Sequence, residues 1–240
     1  DFSIAATGTV TLVDGTRVFA FGHPLVNLGP VSLPMTRAYV HAVLPSLLDS
    51  FKIASPGPVI GTLDQDRATA IAGTLGPAPS TIPVSVALVS DRGPQRRFAF
   101  QVGREQTLTP TLVFFTVLSV LQSYEREMGG STFAVRGSVR VKGQGEFTLD
   151  DIFAGESAGG SAVGYLATPL ALLSRTDVAR VEIEGIDLRI TASERPKTLA
   201  IERVWLDSGR VRPGDLVTAK VALRPWRGAE VVRSVPIQIP

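Results

Sequence analysis

The sequence contains two histidines, and one of them lies where an imidazole could act as a base. His23 stands in the run Gly22-His23-Pro24, at the end of a stretch that is typical of a strand. Pro24 ends that strand because proline lacks the N–H that a central strand needs. A histidine held at a strand end by a proline-fixed turn can serve as a general base. The alternative is a buried histidine that is hydrogen-bonded to its own turn.

A candidate nucleophile, Ser157, lies in the glycine-rich run 155–159. This run matches Gly-x-Ser-x-Gly, the nucleophile elbow of α/β-hydrolases. That fold places its histidine after the serine and needs a buried parallel strand, and no histidine follows Ser157, so we reject it. Trypsin-like enzymes have the order histidine, acid, serine, which His23 and Ser157 fit. The alternative is that Ser157 or Ser161 caps a helix.

Carboxylates that could complete a triad lie between this histidine and this serine in the chain. Asp64 is our candidate for the acid, and the others are Asp66, Asp150 and Asp151. Asp64 and Asp66 are two residues apart, so in a strand they would share one face, whereas in a turn both would be solvated. Two carboxylates offer too few oxygen ligands for a calcium loop.

The composition argues against several classes of function. The chain has no cysteine and two histidines, so disulfides, thiolate metal sites and histidine-rich metal sites are excluded. The net charge is +2 and the longest basic run is Arg96-Arg97. Basic residues this sparse do not form a surface that could bind along a nucleic-acid phosphate backbone. We therefore expect no metal, no cofactor and no nucleic acid. With 44 % hydrophobic and 19 % charged residues, the chain should form a packed core.

Turn signals and periodicity predict a mainly β chain with one or two helices. Asp14-Gly15 is a strong hairpin signal. A largely buried helix is predicted over residues 111–127 with Thr109 as its N-cap, and its apolar part is too short for a transmembrane segment. A second helix is predicted over residues 161–174. No internal repeat is evident.

The character of the sequence changes at Arg195-Pro196. The residues that follow resemble the beginning of an immunoglobulin-like β-sandwich, which needs roughly 100 residues, and only about 45 remain. We therefore predict a main domain over residues 1–195 and a truncated sandwich over residues 196–240.

The run from Gly8-Thr9-Val10-Thr11 to Gly22-His23-Pro24 resembles the serine peptidase domain of stage IV sporulation protein B. Two further runs are similar to the larger relatives of that family in environmental bacteria: Gly29-Pro30-Val31-Ser32-Leu33-Pro34-Met35 and Gly61-Thr62-Leu63-Asp64-Gln65-Asp66-Arg67. The resemblance covers roughly residues 3–90. It implies an exported, often autoprocessing serine peptidase with a trypsin-like β-barrel, often next to a PDZ module.

The resemblance also implies a role for one residue and leaves another open. His23 matches the family's catalytic histidine. The family nucleophile lies in a Gly-Met-Ser-Gly-Ser-Pro type motif, which this chain does not contain. In relatives the serine motif can lie upstream of the histidine segment, which would place it before Asp1. Ser157 is the less favoured candidate within the chain.

These observations lead to one preferred function and one alternative. The preferred function is a fragment of an exported, autoprocessing serine-peptidase-like protein with its nucleophile outside this chain, located outside the cytoplasm. Its fold would be a trypsin-like β-barrel followed by the partial immunoglobulin-like sandwich, and its partners would be proteins or peptides, above all other segments of the same precursor. The alternative is a catalytically inactive, β-rich binding or structural module of a bacterial envelope or surface assembly.

Overall fold

The computed structural model describes residues 3–47, 50–124, 130–176, 181–207 and 209–240. These residues form three β-sheets and two helices, so the prediction of a mainly β chain is confirmed. None of the described sheets closes into a barrel; each is open, with two edge strands. Neither helix among these residues is long and apolar enough to cross a membrane.

The first sheet is antiparallel and has the order β1-β2-β5-β4-β3. Its strands are β1 Val10–Asp14, β2 Arg17–Ala20, β3 Gly29–Leu44, β4 Phe51–Arg67 and β5 Ala70–Leu75. The predicted hairpin at Asp14-Gly15 is confirmed, because β1 and β2 pair around it and Gly15 has the positive φ of 57° that such a turn requires. The buried cluster of this sheet is small and consists of Ala20, Leu63 and Ile71.

The second sheet carries the main core and has the order β7-β6-β10-β8-β9. Its strands are β6 Thr81–Ser90, β7 Gly93–Gly103, β8 Ser131–Val141, β9 Gly145–Gly155 and β10 Ile183–Ser193. Helices α1 Thr109–Tyr124 and α2 Ala158–Ser174 pack on each other and on this sheet. Both predicted helices are therefore confirmed. The prediction for the end of α1 lies partly outside the described residues.

The second sheet contains a repeated topology that the sequence did not reveal. A hairpin followed by a helix occurs twice, first as β6-β7-α1 and then as β8-β9-α2. Strand β10 lies between the two hairpins, parallel to β6 and antiparallel to β8. Strands β6 and β8, which begin the two units, therefore run in opposite directions on either side of β10. Both helices contribute to one core.

The third sheet is antiparallel with the order β11-β12-β13 and has two different faces. Its strands are β11 Leu199–Leu206, β12 Leu216–Pro225 and β13 Val231–Gln238. Within the described part of the chain no other sheet packs on it. The region after Pro196 is therefore a single three-stranded sheet, and a sandwich is not observed. Thr132 anchors its start, because the Thr132 hydroxyl donates to the Arg195 carbonyl and accepts the Lys197 N–H.

Candidate functional site

His23 lies in the loop that joins β2 to β3, and the backbone of this loop is unusual. Phe21 has φ 74°, Gly22 has φ 74° and Asn27 has φ 60°. A positive φ is rare for an aromatic residue and is sustained only where the surroundings fix it. Here the Phe21 N–H donates to the Thr9 carbonyl at 2.9 Å. The loop is therefore tied to the segment that precedes β1.

The ring of Phe21 explains a glycine of the Gly-Thr-Val-Thr run. A Cβ at Gly8 would lie 2.0 Å from Cδ1 of Phe21, so only glycine leaves room for the ring. The same ring contacts the imidazole of His23, with 5.4 Å between the centroids. The Gly8 segment and the His23 loop thus form one packed unit.

Asp66 holds the other side of the His23 loop. This side chain is fully buried, and it extends from the end of β4 beneath the loop. Its Oδ1 accepts the Leu25 N–H at 2.7 Å, and its Oδ2 accepts the N–H groups of Val26 at 2.9 Å and Leu28 at 3.2 Å. Hydrogen bonds to an ionised carboxylate are roughly twice as strong as neutral ones, so Asp66 fixes this part of the loop. Sequence reasoning had given Asp66 a place only among the candidate acids.

The electrostatics of Asp66 follow from these contacts. Burial alone would raise the pKa of this carboxyl group, but the backbone N–H groups of Val26, Leu28, Leu25 and Asn27 outweigh burial and hold the pKa below its usual value. Asp66 therefore remains ionised at neutral pH, as a structural anion beneath the loop.

The imidazole of His23 is exposed, and its hydrogen bond defines its tautomer. Nδ1 lies 2.7 Å from the Pro24 carbonyl oxygen. A carbonyl oxygen can only accept, so Nδ1 carries the proton and Nε2 of the neutral ring carries the lone pair. In the described structure no side chain binds Nε2. This is the protonation pattern of a general base, with a backbone carbonyl in the place where a triad has its acid.

Asp64, the acid favoured from the sequence, points away from the His23 loop. Its Oδ2 accepts the Thr74 hydroxyl at 2.7 Å. Asp64 is the extra residue at a register shift between Leu63 and Gln65, and such a bulge reverses the alternation of side chains. Asp64 and Asp66 therefore lie on opposite faces of the sheet, and the expectation that they share one face is wrong.

Ser157 lies in the turn between β9 and α2, which belongs to the second sheet. It occupies the N-cap position of α2, but its side chain makes no capping hydrogen bond. A shallow depression is lined by residues 152–158 and Ser161. No described contact joins Ser157 to His23 or to Asp64.

The remaining candidate acids lie on β9, in the same sheet as Ser157. Asp150 pairs with Arg136 at 3.3 Å on the surface, and Asp151 accepts the N–H of Ile152 at 2.7 Å. Neither bonds to a histidine. The described residues therefore hold three separate elements of the predicted triad and do not bring them together.

The structure contains a histidine–serine contact that the sequence analysis did not predict. Nε2 of His41 on β3 lies 2.8 Å from Oγ of Ser55 on β4, and both groups are exposed. The ring of His41 also contacts Tyr39, at 4.9 Å between centroids. The pairing of β3 with β4 brings the two together, and no local pattern signals it. In the described structure no carboxylate or carbonyl orients the other nitrogen of His41.

Neither a search for metal-binding clusters nor comparison with known proteins assigns a function to these residues. Among the residues that the structure describes, no group of three or more histidine or acidic side chains could hold a metal ion. Comparisons of the chain with protein-family models, with curated proteins and with solved structures give no match. The resemblance noted above therefore rests on the quoted residues of the chain.

Proposed function

We propose that this chain supplies the histidine base of an exported serine peptidase of the sporulation type, and that the nucleophilic serine lies outside the chain. The observation that carries the proposal is the His23 loop: the ring is exposed, Nδ1–H donates to the Pro24 carbonyl, and no side chain among the described residues binds Nε2. Two of the three sequence runs that carry the resemblance approach each other here, because Asp66 of the run 61–67 binds the N–H groups of Leu25, Val26 and Leu28, which directly follow the run that ends in His23-Pro24.

The chemistry would follow the usual order of acyl transfer. A serine hydroxyl within about 3 Å of Nε2 would lose its proton to the imidazole as its oxygen attacks the scissile carbonyl carbon. The imidazolium would keep its Nδ1–H bond to Pro24 and would then give the proton from Nε2 to the leaving amine as the C–N bond breaks. A carbonyl dipole stabilises the cationic ring less than a carboxylate does, which predicts a slow enzyme suited to single cleavages such as autoprocessing.

Closure of a trypsin-like barrel belongs to the same proposal. The first sheet is open at the β1 edge, and exposed valines and leucine on that strand, Val10, Leu12 and Val13, provide apolar surface there. Strands from the serine-bearing segment would extend the sheet at this edge. Export would follow from membership in this class of peptidases.

A fluorophosphonate probe, which reacts with activated serines, tests the proposal. The chain alone and a longer precursor that carries the Gly-Met-Ser-Gly-Ser-Pro type motif would be labelled in parallel. We expect labelling of the precursor at a serine outside this chain, and its loss in His23→Ala. His41→Ala is the matched control, because it removes an exposed histidine that lies on β3.

Other results would redirect the proposal. Labelling of the chain alone that disappears in Ser157→Ala would establish a self-contained enzyme with Ser157 as nucleophile. Loss of labelling in Ser55→Ala would assign the activity to the His41–Ser55 pair. Absence of labelling in both proteins would contradict peptidase function altogether.

The third sheet favours a second candidate function, a β-rich binding module. The register places the following apolar side chains on one face: Leu199, Ile201, Val204, Leu206, Val217, Val221, Leu223, Val231, Val235 and Ile237. The opposite face carries Arg224 paired with Glu202, Lys220 paired with Asp207, and Arg203 stacked over Trp205. One solvated face and one uncovered apolar face are typical of a sheet that packs against another surface.

A further inference from the structure

The second sheet has one face that neither helix covers. Both helices pack on the face that carries the buried side chains of Val86, Leu88 and Ile190. Side chains alternate between the two faces along each strand, so the residues between these lie on the opposite face, which we call the open face. Its side chains are small, polar or charged, and they are exposed or half-buried; they include Ser85, Ala87, Arg97, Ala99, Arg136, Ser138, Thr148, Asp150, Asp187 and Arg189.

Three arginines lie in one row across the open face. Arg97 of β7 lies opposite Ala87 of β6, and Ala87 in turn pairs with Arg189 of β10. On its other side Arg189 lies opposite Arg136 of β8. We call Arg97, Arg189 and Arg136 the arginine row. Neighbouring strands are about 4.8 Å apart, so the row is about 14 Å long.

The positive charges of the arginine row are incompletely balanced. Arg136 approaches Asp150 at 3.3 Å, and both side chains are largely exposed, so this pair contributes little and another carboxylate can replace Asp150. Among the described residues neither Arg97 nor Arg189 has an ion pair. Like charges directly opposite each other destabilise a pair of strands, and Arg189 and Arg136 are in this position. A bound anion would remove that repulsion.

The other acidic side chains of the open face are held at its far end. Asp187 forms an ion pair with Arg140, and Glu146 lies opposite Arg140 in the register of β8 and β9. These charges balance one another locally. The end of the open face that carries the arginine row therefore keeps an excess of positive charge.

Short side chains leave the arginine row accessible. Ala87 lies between Arg97 and Arg189, so no bulky side chain separates the two guanidinium groups. In the next row Ser85 and Ser138 flank β10, and both offer hydroxyl groups that can donate or accept hydrogen bonds. A flat, extended ligand can therefore lie across the strands at this level.

The chemistry of the open face favours carboxylates on a polypeptide. Proteins that bind nucleic acid on an open sheet stack bases on aromatic side chains, and no described residue of the open face is aromatic. The planar fork of arginine matches a carboxylate bidentately. Alternate side chains of an extended peptide share one face, so acidic residues at positions i, i+2 and i+4 span about 14 Å. This is the length of the arginine row.

We propose that the arginine row binds an acidic polypeptide segment, which lies extended across the strands with carboxylates on alternate residues. One carboxylate binds between Arg189 and Arg136, and another binds Arg97. This site lies on the second sheet and needs neither His23 nor a serine, so the inference goes beyond the proposed function and does not rest on it.

Fluorescence anisotropy with a defined peptide tests the site. The probe is a fluorescein-labelled peptide of alternating glutamate and serine residues, and the same peptide with glutamine in place of glutamate is the control ligand. We expect the glutamate peptide to bind the chain at low salt and to dissociate as salt is added. Arg97→Ser and Arg189→Ser should each weaken binding at least about threefold, and together at least about tenfold.

A neighbouring arginine provides the matched control variant. Arg96 lies next to Arg97 on β7, but its guanidinium group stacks on Tyr124 of α1, on the helix-covered face. Arg96→Ser removes the same charge and should leave peptide binding unchanged. Arg189→Lys keeps the charge and should weaken binding less than Arg189→Ser. Arg189→Ser should not lower the melting temperature, because it removes the repulsion between Arg189 and Arg136.

Several results would overturn the proposal. Equal binding of the glutamate and glutamine peptides to the wild type would show that carboxylates are not recognised. Equal weakening by Arg96→Ser and Arg97→Ser would show that the net charge, and not the arginine row, attracts the peptide. Tighter binding of oligothymidylate than of the glutamate peptide, lost in Arg97→Ser and Arg189→Ser, would assign the open face to a nucleic acid.

Discussion

The Asp66 carboxylate holds the Leu25 N–H at 2.7 Å across 41 residues of sequence. Asp66 is the penultimate residue of β4, and Leu25 follows His23 by two residues. A residue of β4 thus fixes the backbone of the loop that carries His23 without touching the ring. This contact gives the account its most specific tests.

Removal of the Asp66 carboxylate should destabilise the first sheet. Asp66→Ala removes the acceptor of the part-buried N–H groups of Leu25, Val26 and Leu28, and hydrogen bonds to a charged group contribute about 1.5–3 kcal/mol each. We expect a decrease of at least about 3 kcal/mol in the free energy of unfolding, measured by urea denaturation. Asp66→Asn retains one acceptor oxygen and should lose less. Equal stability of all three proteins would show that the loop does not depend on Asp66.

The same carboxylate predicts a dependence of stability on pH. The pKa of Asp66 is lowered in the folded protein, so its ionised form contributes stability that is fully present above the unfolded pKa. That contribution is lost as the pH falls through the folded pKa, below about pH 4. The stability difference between the wild type and Asp66→Asn should therefore shrink on acidification. A difference that stays constant from neutral to acidic pH would contradict the assignment.

Alanine substitutions at two glycines should change the stability in opposite directions, because one glycine is closely packed between strands and the other has open space around it. A Cβ at Gly61 would lie 2.1 Å from the Thr74 carbonyl oxygen, so Gly61→Ala should separate β4 from β5 at a cost of about 1–3 kcal/mol. Gly164 lies inside α2 with open space around it, and Gly164→Ala should stabilise the protein by about 0.5–1 kcal/mol. Thermal unfolding of both variants checks the prediction; shifts of the same sign would contradict it.

Two leucines of α2 test the core of the second sheet. Leu166 is 1 % exposed and Leu172 is 68 % exposed. Leu166→Ala removes buried methyl groups and leaves a cavity, so it should cost about 2–5 kcal/mol. Leu172→Ala should change the stability by less than about 0.5 kcal/mol. A small loss for Leu166→Ala in chemical denaturation would mean that the helix is not packed as described.

Local sequence signals predicted the local elements well. Asp14-Gly15 predicts a turn, and the apolar runs of α1 and α2 predict helices. Turns and helices can be predicted in this way because their hydrogen bonds join residues that are close in sequence. The start of α2 was predicted three residues late, at Ser161 instead of Ala158. The mainly β class also followed from frequent turns and β-branched residues.

Features that depend on long-range pairing could not be predicted in this way. The bulge at Asp64 separates Asp64 from Asp66, and the cross-strand register joins His41 to Ser55. Asp66 was singled out for its charge alone, because nothing near it in sequence shows that it would meet the loop at Leu25. The duplicated hairpin–helix topology is likewise a matter of strand order.

The central claim is that the loop holds the His23 ring with its proton on Nδ1 and a free Nε2. Nitrogen NMR of the labelled chain, in mildly alkaline buffer where an ordinary imidazole is neutral, reports the tautomer directly. The account predicts a protonated Nδ1 and an unprotonated Nε2 for His23, with this preference lost in Asp66→Ala. A proton on Nε2 in the wild type would contradict it, because Nε2 in that tautomer has no lone pair with which to accept the proton of a serine.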